Sequence, residues 1–300
     1  MTAFSPSDAA LGGFRLIRDH PVAMLVWGLF YFAGIMVLGL VMVLGLGPTF
    51  VSFVKNGGLE SGDAAAFGHI LQNASPAFLL IIALTIFLMS VVTAGVYRLV
   101  LRPQEHTALN THLKFGKDEL RLTVANLVMF SIGMGFLFAI ALTTALIAWG
   151  GGGIWALGGV ALAVLMIWIG VRLSLATPMT FGEGRLSIAA SWRLTRGHFW
   201  SLLGMILLAT IFYLMVWAVV AIIGWAIMAL SGGADALSDQ NMSLGAMAAF
   251  VVNLIIQLVL PIVQVVMIYA PLAAAYRAIR DEDQPAPAPA ASADPAPAAS

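Results

Sequence analysis

The side chains of this sequence that could do chemistry lie outside its long apolar segments. Its five histidines fall in the polar stretches between those segments, and no His-Glu-x-x-His, Gly-x-Ser-x-Gly or phosphate-binding glycine loop is present. His106 and His112, taken with Glu105 or Glu119, match no common metal-ligand spacing. We therefore predict a protein that is not an enzyme and has no metal and no cofactor.

The charged residues exclude further classes of function. Acidic residues are absent from the middle of the apolar segments, which argues against a pump that moves protons through buried carboxylates. Cysteine is absent, which excludes disulfides and thiolate metal sites. The formal net charge is zero, so the sequence predicts no nucleic-acid partner.

One polar stripe does lie within an apolar segment, close to the C-terminal end of the chain. Asn253, Gln257 and Gln264, here called the amide stripe, fall within a narrow arc of a helix, with Pro261 on the same side. Amides in hydrocarbon need hydrogen-bond partners, so this face is expected to look inward. The stripe then either joins helices or lines a narrow cavity, and both interpretations stay open.

A basic pattern precedes each of the three apolar hairpins. Its copies lie at residues 14–20, 113–119 and 192–198. Each copy has two bases separated by a large apolar residue and one further residue: Arg15 and Arg18, Lys114 and Lys117, Arg193 and Arg196. As helices, the second over about residues 109–121, the copies are amphipathic and suited to the membrane interface. Their bases either anchor the protein or form a collar that binds anionic headgroups.

Composition and segment length predict a polytopic membrane protein. Hydrophobic residues make up 61% of the chain and charged residues 9%. We predict an all-α fold with six transmembrane helices, joined in the middle by a glycine turn at residues 150–153. The helices are expected at about residues 21–46, 76–100, 122–149, 154–175, 200–230 and 245–275.

The bases also predict how the chain is oriented and divided. Of the 14 Lys and Arg residues, all but Lys55 fall on one side of the predicted membrane, so both termini and the interfacial helices should be cytoplasmic. Arg98, Arg172 and Arg277 end the three hairpins. We therefore predict three tandem units at about residues 4–103, 104–178 and 179–280, which form one membrane domain over residues 1–280. Residues 281–300 are an Ala/Pro-rich stretch that predicts a disordered cytoplasmic tail.

A family resemblance is carried by residues 172–204. The run Arg172-Leu-Ser-Leu-Ala-Thr-Pro178, then Glu183, then Ser191-Trp-Arg-Leu-Thr-Arg-Gly-His-Phe-Trp-Ser-Leu-Leu-Gly204 resembles a bacterial six-helix membrane family. The family is labelled glycerophosphoryl diester phosphodiesterase membrane domain and includes YciC-like proteins. Some members carry a soluble phosphodiesterase domain, but no His-Arg metal motif follows the sixth segment here. The resemblance therefore implies no enzymatic activity.

Together these features predict a non-enzymatic, multi-pass protein of the bacterial inner membrane. It is expected to engage anionic lipids, or a membrane protein partner, in envelope or lipid homeostasis. The alternative is a passive transporter, channel or lipid-translocating protein with a polar path along the sixth helix.

The collar hypothesis predicts the effect of removing one base from each copy of the pattern. Replacing Arg15, Lys114 and Arg193 together by Gln should lower the retention of anionic lipid, because each base would contact a lipid phosphate. Native mass spectrometry of the gently solubilised protein measures this retention. Unchanged retention would remove the collar.

Overall fold

The structure is a computed structural model that describes residues 5–55, 64–104, 112–150, 152–230 and 244–283. All regular secondary structure within these ranges is α-helical. In chain order the helices are α1 Pro6–Asp19, α2 Pro21–Lys55, α3 Ala64–Leu101, α4 Lys117–Ala148, α5 Gly153–Leu173, α6 Ala176–Glu183, α7 Ile188–Leu194, α8 Phe199–Leu230 and α9 Leu244–Asp283.

Six segments of these helices are long and apolar enough to cross a membrane. Span four combines α5 and α6, and the other five spans lie in α2, α3, α4, α8 and α9. The predicted number of transmembrane helices is therefore confirmed, and the chain is a multi-pass membrane protein.

Local sequence explains where several helices stop. His20 precedes a proline, which disfavours helical angles, and it leaves the helix with φ −130° and ψ 54° between α1 and α2. Gly150 and Gly152 adopt φ 92° and 68° between α4 and α5, angles that glycine accepts without steric cost. The predicted glycine turn is confirmed.

The second copy of the basic pattern is not an interfacial helix. Residues 112–115 have no regular secondary structure and α4 begins at Lys117, so the helix predicted over residues 109–121 is wrong for this part. Tertiary contacts hold this segment: Leu113 packs against the cluster around Trp27, and the largely exposed Phe115 ring lies 5.8 Å from that of Phe30. Residues 105–111 lie outside the described residues.

Other predicted boundaries also shift. The predicted link at residues 178–184 is helical in α6, and the third copy of the basic pattern lies in α7 and the turn after it. Helix α2 continues past Pro48 to Lys55, and α3 begins at Ala64 rather than at Pro76. Most of the predicted tail, residues 284–300, lies outside the described residues.

The buried core is concentrated at the end of the bundle where α3 and α9 finish and α4 and α8 begin, here called the basic end. Helix α9 contributes to all three buried clusters: Val266 packs with α2 and α3, Ala273 with α3, α4 and α6, and Ala275 with α1, α5 and α8. At the opposite end the helices present large apolar side chains outward, among them Leu44, Trp225 and Met247. Helix α9 is thus the central element of the fold.

Helix α1 packs onto the basic end against α8 and α9. Ala9, Ala10 and Gly13 are buried, and the Phe14 ring lies 5.7 Å from that of Phe212. The apolar side of α1 therefore covers protein as well as facing outward. Contact is closest at Gly13, where an added Cβ would lie 2.9 Å from the Cα of Met267.

This contact predicts opposite effects for two neighbouring glycines of α1. Gly13→Ala should lower the free energy of unfolding by about 1–3 kcal/mol, because the Cβ must push α1 away from the backbone of α9. Gly12→Ala, where nothing lies within 4 Å, is the matched control and should stabilise the helix by roughly 0.5–1 kcal/mol. Unfolding in mixed micelles measures both, and equal effects would contradict the packing of α1.

Candidate functional site

The basic end is organised around a buried ion pair between α3 and α4. Arg98 and Glu119 are each 2% exposed, and Nη2 of the arginine donates to Oε1 of the glutamate over 2.5 Å. The guanidinium also donates to the carbonyl oxygen of His112, which has a left-handed φ of 56°. A buried charge is tolerated where it is paired and hydrogen-bonded, so these bonds tie the irregular segment before α4 to α3 and α4.

A second arginine joins the same helices to α6. Arg102 donates to Asp118 over 3.1 Å and to the carbonyl oxygen of Phe181 over 3.0 Å, and its guanidinium lies 4.8 Å from the centre of the Phe181 ring. Asp118 also accepts from Arg121 over 3.4 Å. The carboxylates of Asp118 and Glu119 suit the first turn of α4, where the helix dipole favours negative charge.

The three helix-end arginines occupy three different environments. Arg98 is buried in its ion pair, whereas Arg172 lies beside a pair of touching indoles, 5.7 Å from Trp168 and 5.8 Å from Trp192. The Arg172 carbonyl oxygen accepts from the hydroxyls of Ser191 and Thr195, which attaches α7 to α5. Arg277 is exposed.

Arg277 belongs to a pocket at the basic end, between the ends of α3, α6 and α9. The pocket has a volume of about 610 Å³ and is named the basic pocket. Among the described residues, three arginines and one aspartate line it, which gives this part of the lining an excess of positive charge. Tyr276 and Gly182 pack against each other on one wall. Its lining is Leu101, Arg102, Pro103, Gln104, Gly182, Tyr276, Arg277, Arg280 and Asp281.

The chemistry of this pocket suits an anion with several oxygen atoms. Guanidinium groups present planar pairs of N–H donors that match phosphate and carboxylate oxygens. One of the three is already engaged, because Arg102 donates to Asp118, and Arg280 lies near Tyr276 and Glu183. Arg277 and Arg280 are both exposed and are therefore the groups best placed to meet a ligand.

The six bases of the predicted collar are all exposed, but they do not share one setting. Arg15 lies 3.7 Å from Asp8 and Arg18 lies 3.0 Å from Asp19, both on α1. Lys114 lies in the irregular segment before α4 and Lys117 begins α4, while Arg193 and Arg196 lie at the end of α7 and in the turn after it. The structure does not bring these bases into one pocket, and their lipid role stays a prediction.

The amide stripe faces outward on α9. Asn253, Gln257 and Gln264 are all exposed, so the expectation that this face looks inward is wrong for a single chain. Another side of α9 packs closely against α2, because an added Cβ at Gly28 would lie 2.5 Å from Leu258 Cδ2. Gly224 of α8 approaches less closely, since its added Cβ would lie 3.7 Å from Ile256 Cδ1.

Two residues of the amide stripe line a groove, which agrees with the interpretation that the stripe lines a cavity. Asn253 and Gln257 border a groove of about 650 Å³ between α8 and α9, whose other lining residues are mostly apolar. Gln264 is not among the residues that line it. The amides make no hydrogen bond or ion pair with any residue that the structure describes.

Metal ligands were a further possibility at the basic end. Within the described ranges no group of three or more His, Asp or Glu side chains is close enough to hold a metal ion. Glu119 is instead the partner of Arg98. His106 and Glu105 lie outside those ranges.

Sequence reasoning missed two parts of this site. Arg102 and Arg280 were counted only for membrane orientation. Asp118 was considered only as part of a repeated pattern, and Glu119 as part of that pattern and as a rejected metal ligand. The sequence did contain a signal for the ion pairs: Asp118 and Glu119 stand next to each other at the start of an apolar segment, where carboxylates need nearby counter-charges. The pocket had no such signal, since its arginines come from segments far apart in the chain.

Comparison with known families agrees with the resemblance found in the sequence. Residues 152–287 match the family described as the membrane domain of glycerophosphoryl diester phosphodiesterase, so the resemblance is confirmed over this range. The range includes most of α5 to α9, with Arg172, Arg277 and Arg280. No curated protein and no solved structure matches the chain.

Breaking the buried ion pair between Arg98 and Glu119 should lower the free energy of unfolding more than breaking a surface pair would. Glu119→Leu should lower the free energy of unfolding by about 3–5 kcal/mol, because Arg98 is left buried without its counter-charge. Adding Arg98→Met should recover most of that loss, since no buried charge then remains. Chemical unfolding in mixed micelles gives the values.

A matched control is available at the same end of the bundle. Arg185 is 75% exposed and lies 2.8 Å from Glu183, so Arg185→Gln should cost at most about 1 kcal/mol. If Glu119→Leu cost no more than Arg185→Gln, the pairing of Arg98 with Glu119 would not hold the helices together.

Proposed function

We propose that this protein is a non-enzymatic protein of the bacterial inner membrane that binds anionic phospholipids by their headgroups and acts in envelope or lipid homeostasis. The observation that carries the proposal is the convergence of Arg102, Arg277 and Arg280 on the basic pocket. In this proposal the basic end faces the cytoplasm, as the distribution of bases predicts.

Position favours a lipid headgroup as the ligand. The pocket is bounded by Leu101, the last residue of α3, and by the last turns of α9, so it lies where a span ends. Lipid phosphates occupy that depth, and basic pockets between the ends of membrane helices are suited to anionic headgroups. The large apolar side chains exposed along the spans leave room for acyl chains beside the bundle.

The stabilising interactions around the pocket support binding rather than catalysis. Arg102 is held by Asp118 and the Phe181 carbonyl, which sets its guanidinium in place before a ligand arrives. Among the described residues, those that line the pocket are arginine, tyrosine, aspartate, glutamine, glycine and apolar residues. A preorganised set of donors with a net positive charge is what anion binding requires.

Passive transport is the second candidate, and the groove beside the amide stripe is the observation that favours it. Asn253 and Gln257 give this groove polar groups within a transmembrane segment. However, the groove and the basic pocket share no lining residue. Along α9, buried Ile262, Val265 and Val266 lie between them in sequence. Lipid binding at the basic pocket is therefore the better-supported function.

The basic pocket predicts which arginines matter for lipid retention. Arg277→Gln with Arg280→Gln should weaken binding of phosphatidylglycerol roughly 30-fold, because each base near a membrane surface contributes about 1 kcal/mol. Native mass spectrometry across a lipid titration measures the change. Binding of zwitterionic phosphatidylethanolamine should change much less.

The charge-matched comparison is Arg15→Gln with Arg18→Gln, which removes two exposed bases from α1. This variant should lose less phosphatidylglycerol than the pocket variant. If the α1 variant lost as much or more, binding would follow total charge or the collar, and the basic pocket would not be the site.

A further inference from the structure

The outward position of the amide stripe conflicts with its surroundings. Asn253, Gln257 and Gln264 lie on a transmembrane helix whose neighbouring exposed side chains are large and apolar, among them Phe250 and Leu254. Hydrocarbon offers no hydrogen-bond donor or acceptor, so carboxamides facing it lose the bonds they make in water. A partner with polar groups of its own would remove that cost.

The backbone adds a further polar group at the same place. Pro261 has no amide hydrogen, so the carbonyl oxygen of Gln257, four residues earlier, lacks its helical hydrogen bond. The side chain and main chain of Gln257 therefore both present unsatisfied groups on one turn of α9. Membrane helices meet this need by packing against a neighbouring helix that supplies donors.

The spacing of the stripe suits a neighbouring helix rather than a compact ligand. With 3.6 residues per turn, Asn253, Gln257 and Gln264 fall with Leu260 inside an arc of about 60° and extend about 16 Å along the axis. A row this narrow matches the line along which two helices touch when they pack side by side. The adjoining groove of about 650 Å³, lined on its α8 side by Ala221 and Gly224, gives a second helix room to approach.

The chemistry of the row points to one occupant. A carboxamide has both donors and an acceptor, so a row of carboxamides is complementary to itself when two copies are related by a two-fold axis. Copies inserted in the same direction place each amide beside its own equivalent. The row carries no charge and so requires no oppositely charged partner.

We infer that two copies of this chain associate in the membrane through the amide stripe of α9. Equivalent carboxamides hydrogen-bond across the two-fold axis, and the α9 helices of the two copies pack side by side. The contact lies far along α9 from the basic pocket, so this inference goes beyond the proposed lipid-binding function and does not depend on it.

The absence of cysteine from the sequence allows a direct test. Leu260→Cys places a single thiol within the stripe, and mild oxidation in proteoliposomes should yield a disulfide-linked dimer. Ile255→Cys is the matched control, because this exposed residue lies on the opposite side of the same helix and should remain monomeric. No dimer from Leu260→Cys, or equal dimer from both variants, overturns the inference.

A second measurement asks whether the amides drive association. Replacing Asn253, Gln257 and Gln264 together by Leu should raise the dimer dissociation constant in lipid vesicles at least roughly tenfold, measured by energy transfer between labelled copies. Asn253→Gln keeps a carboxamide and should associate nearly as well as the unaltered chain. Undiminished association of the triple variant overturns the inference.

Two other occupants have distinct outcomes. If lipid chains cover the stripe, the purified protein stays monomeric in vesicles at every protein-to-lipid ratio, which overturns the inference. If another protein covers it, the thiol of Leu260→Cys links to that protein in native membranes and the purified chain stays monomeric, which also overturns it. Loss of lipid binding at the basic pocket would leave the dimer unchanged.

Discussion

A guanidinium buried among membrane helices requires a counter-charge, and the pairing of Arg98 with Glu119 meets that requirement at the centre of the basic end. Removing both groups from water is costly, so the pair persists only with close geometry and further hydrogen bonds. Glu119 supplies the charge and the His112 carbonyl supplies another acceptor. Because the three groups come from α3, α4 and the segment between them, satisfying one arginine fixes that connection.

The arginine that ends each of the three hairpins makes different interactions in each one. Arg98 holds helices together, Arg172 lies beside the paired indoles of Trp168 and Trp192, and Arg277 is exposed and lines a pocket. The difference arises from the residues that come after each arginine in the chain. An acidic pair comes after Arg98 and an indole after Arg172, whereas nothing comparable engages Arg277 in the part of the chain that the structure describes. An anionic ligand is best accommodated at an arginine whose charge is not already paired within the protein.

Helix α9 unites the two features of functional interest, at opposite parts of its length. Near its C-terminal end it packs in one buried cluster with α1, α5, α6 and α8, and it contributes Tyr276, Arg277 and Arg280 to the basic pocket. Nearer its N-terminal end it is exposed and carries the amide stripe. Headgroup recognition and association of two copies would therefore use one helix without competing for the same surface.

The sequence by itself determined the six spans, the glycine turn and the concentration of bases at one end, because apolar length, glycine angles and charge act locally and can be read along the chain. It predicted wrongly that residues 112–116 belong to a helix and that the amides of α9 face inward. Both depend on tertiary contacts: Leu113 packs beside Trp27, and the close approach of Gly28 to Leu258 places another side of α9 against α2. The basic pocket likewise exists only in three dimensions, because Arg102 and Arg280 come together only when α3, α6 and α9 pack, and no local pattern encodes that meeting.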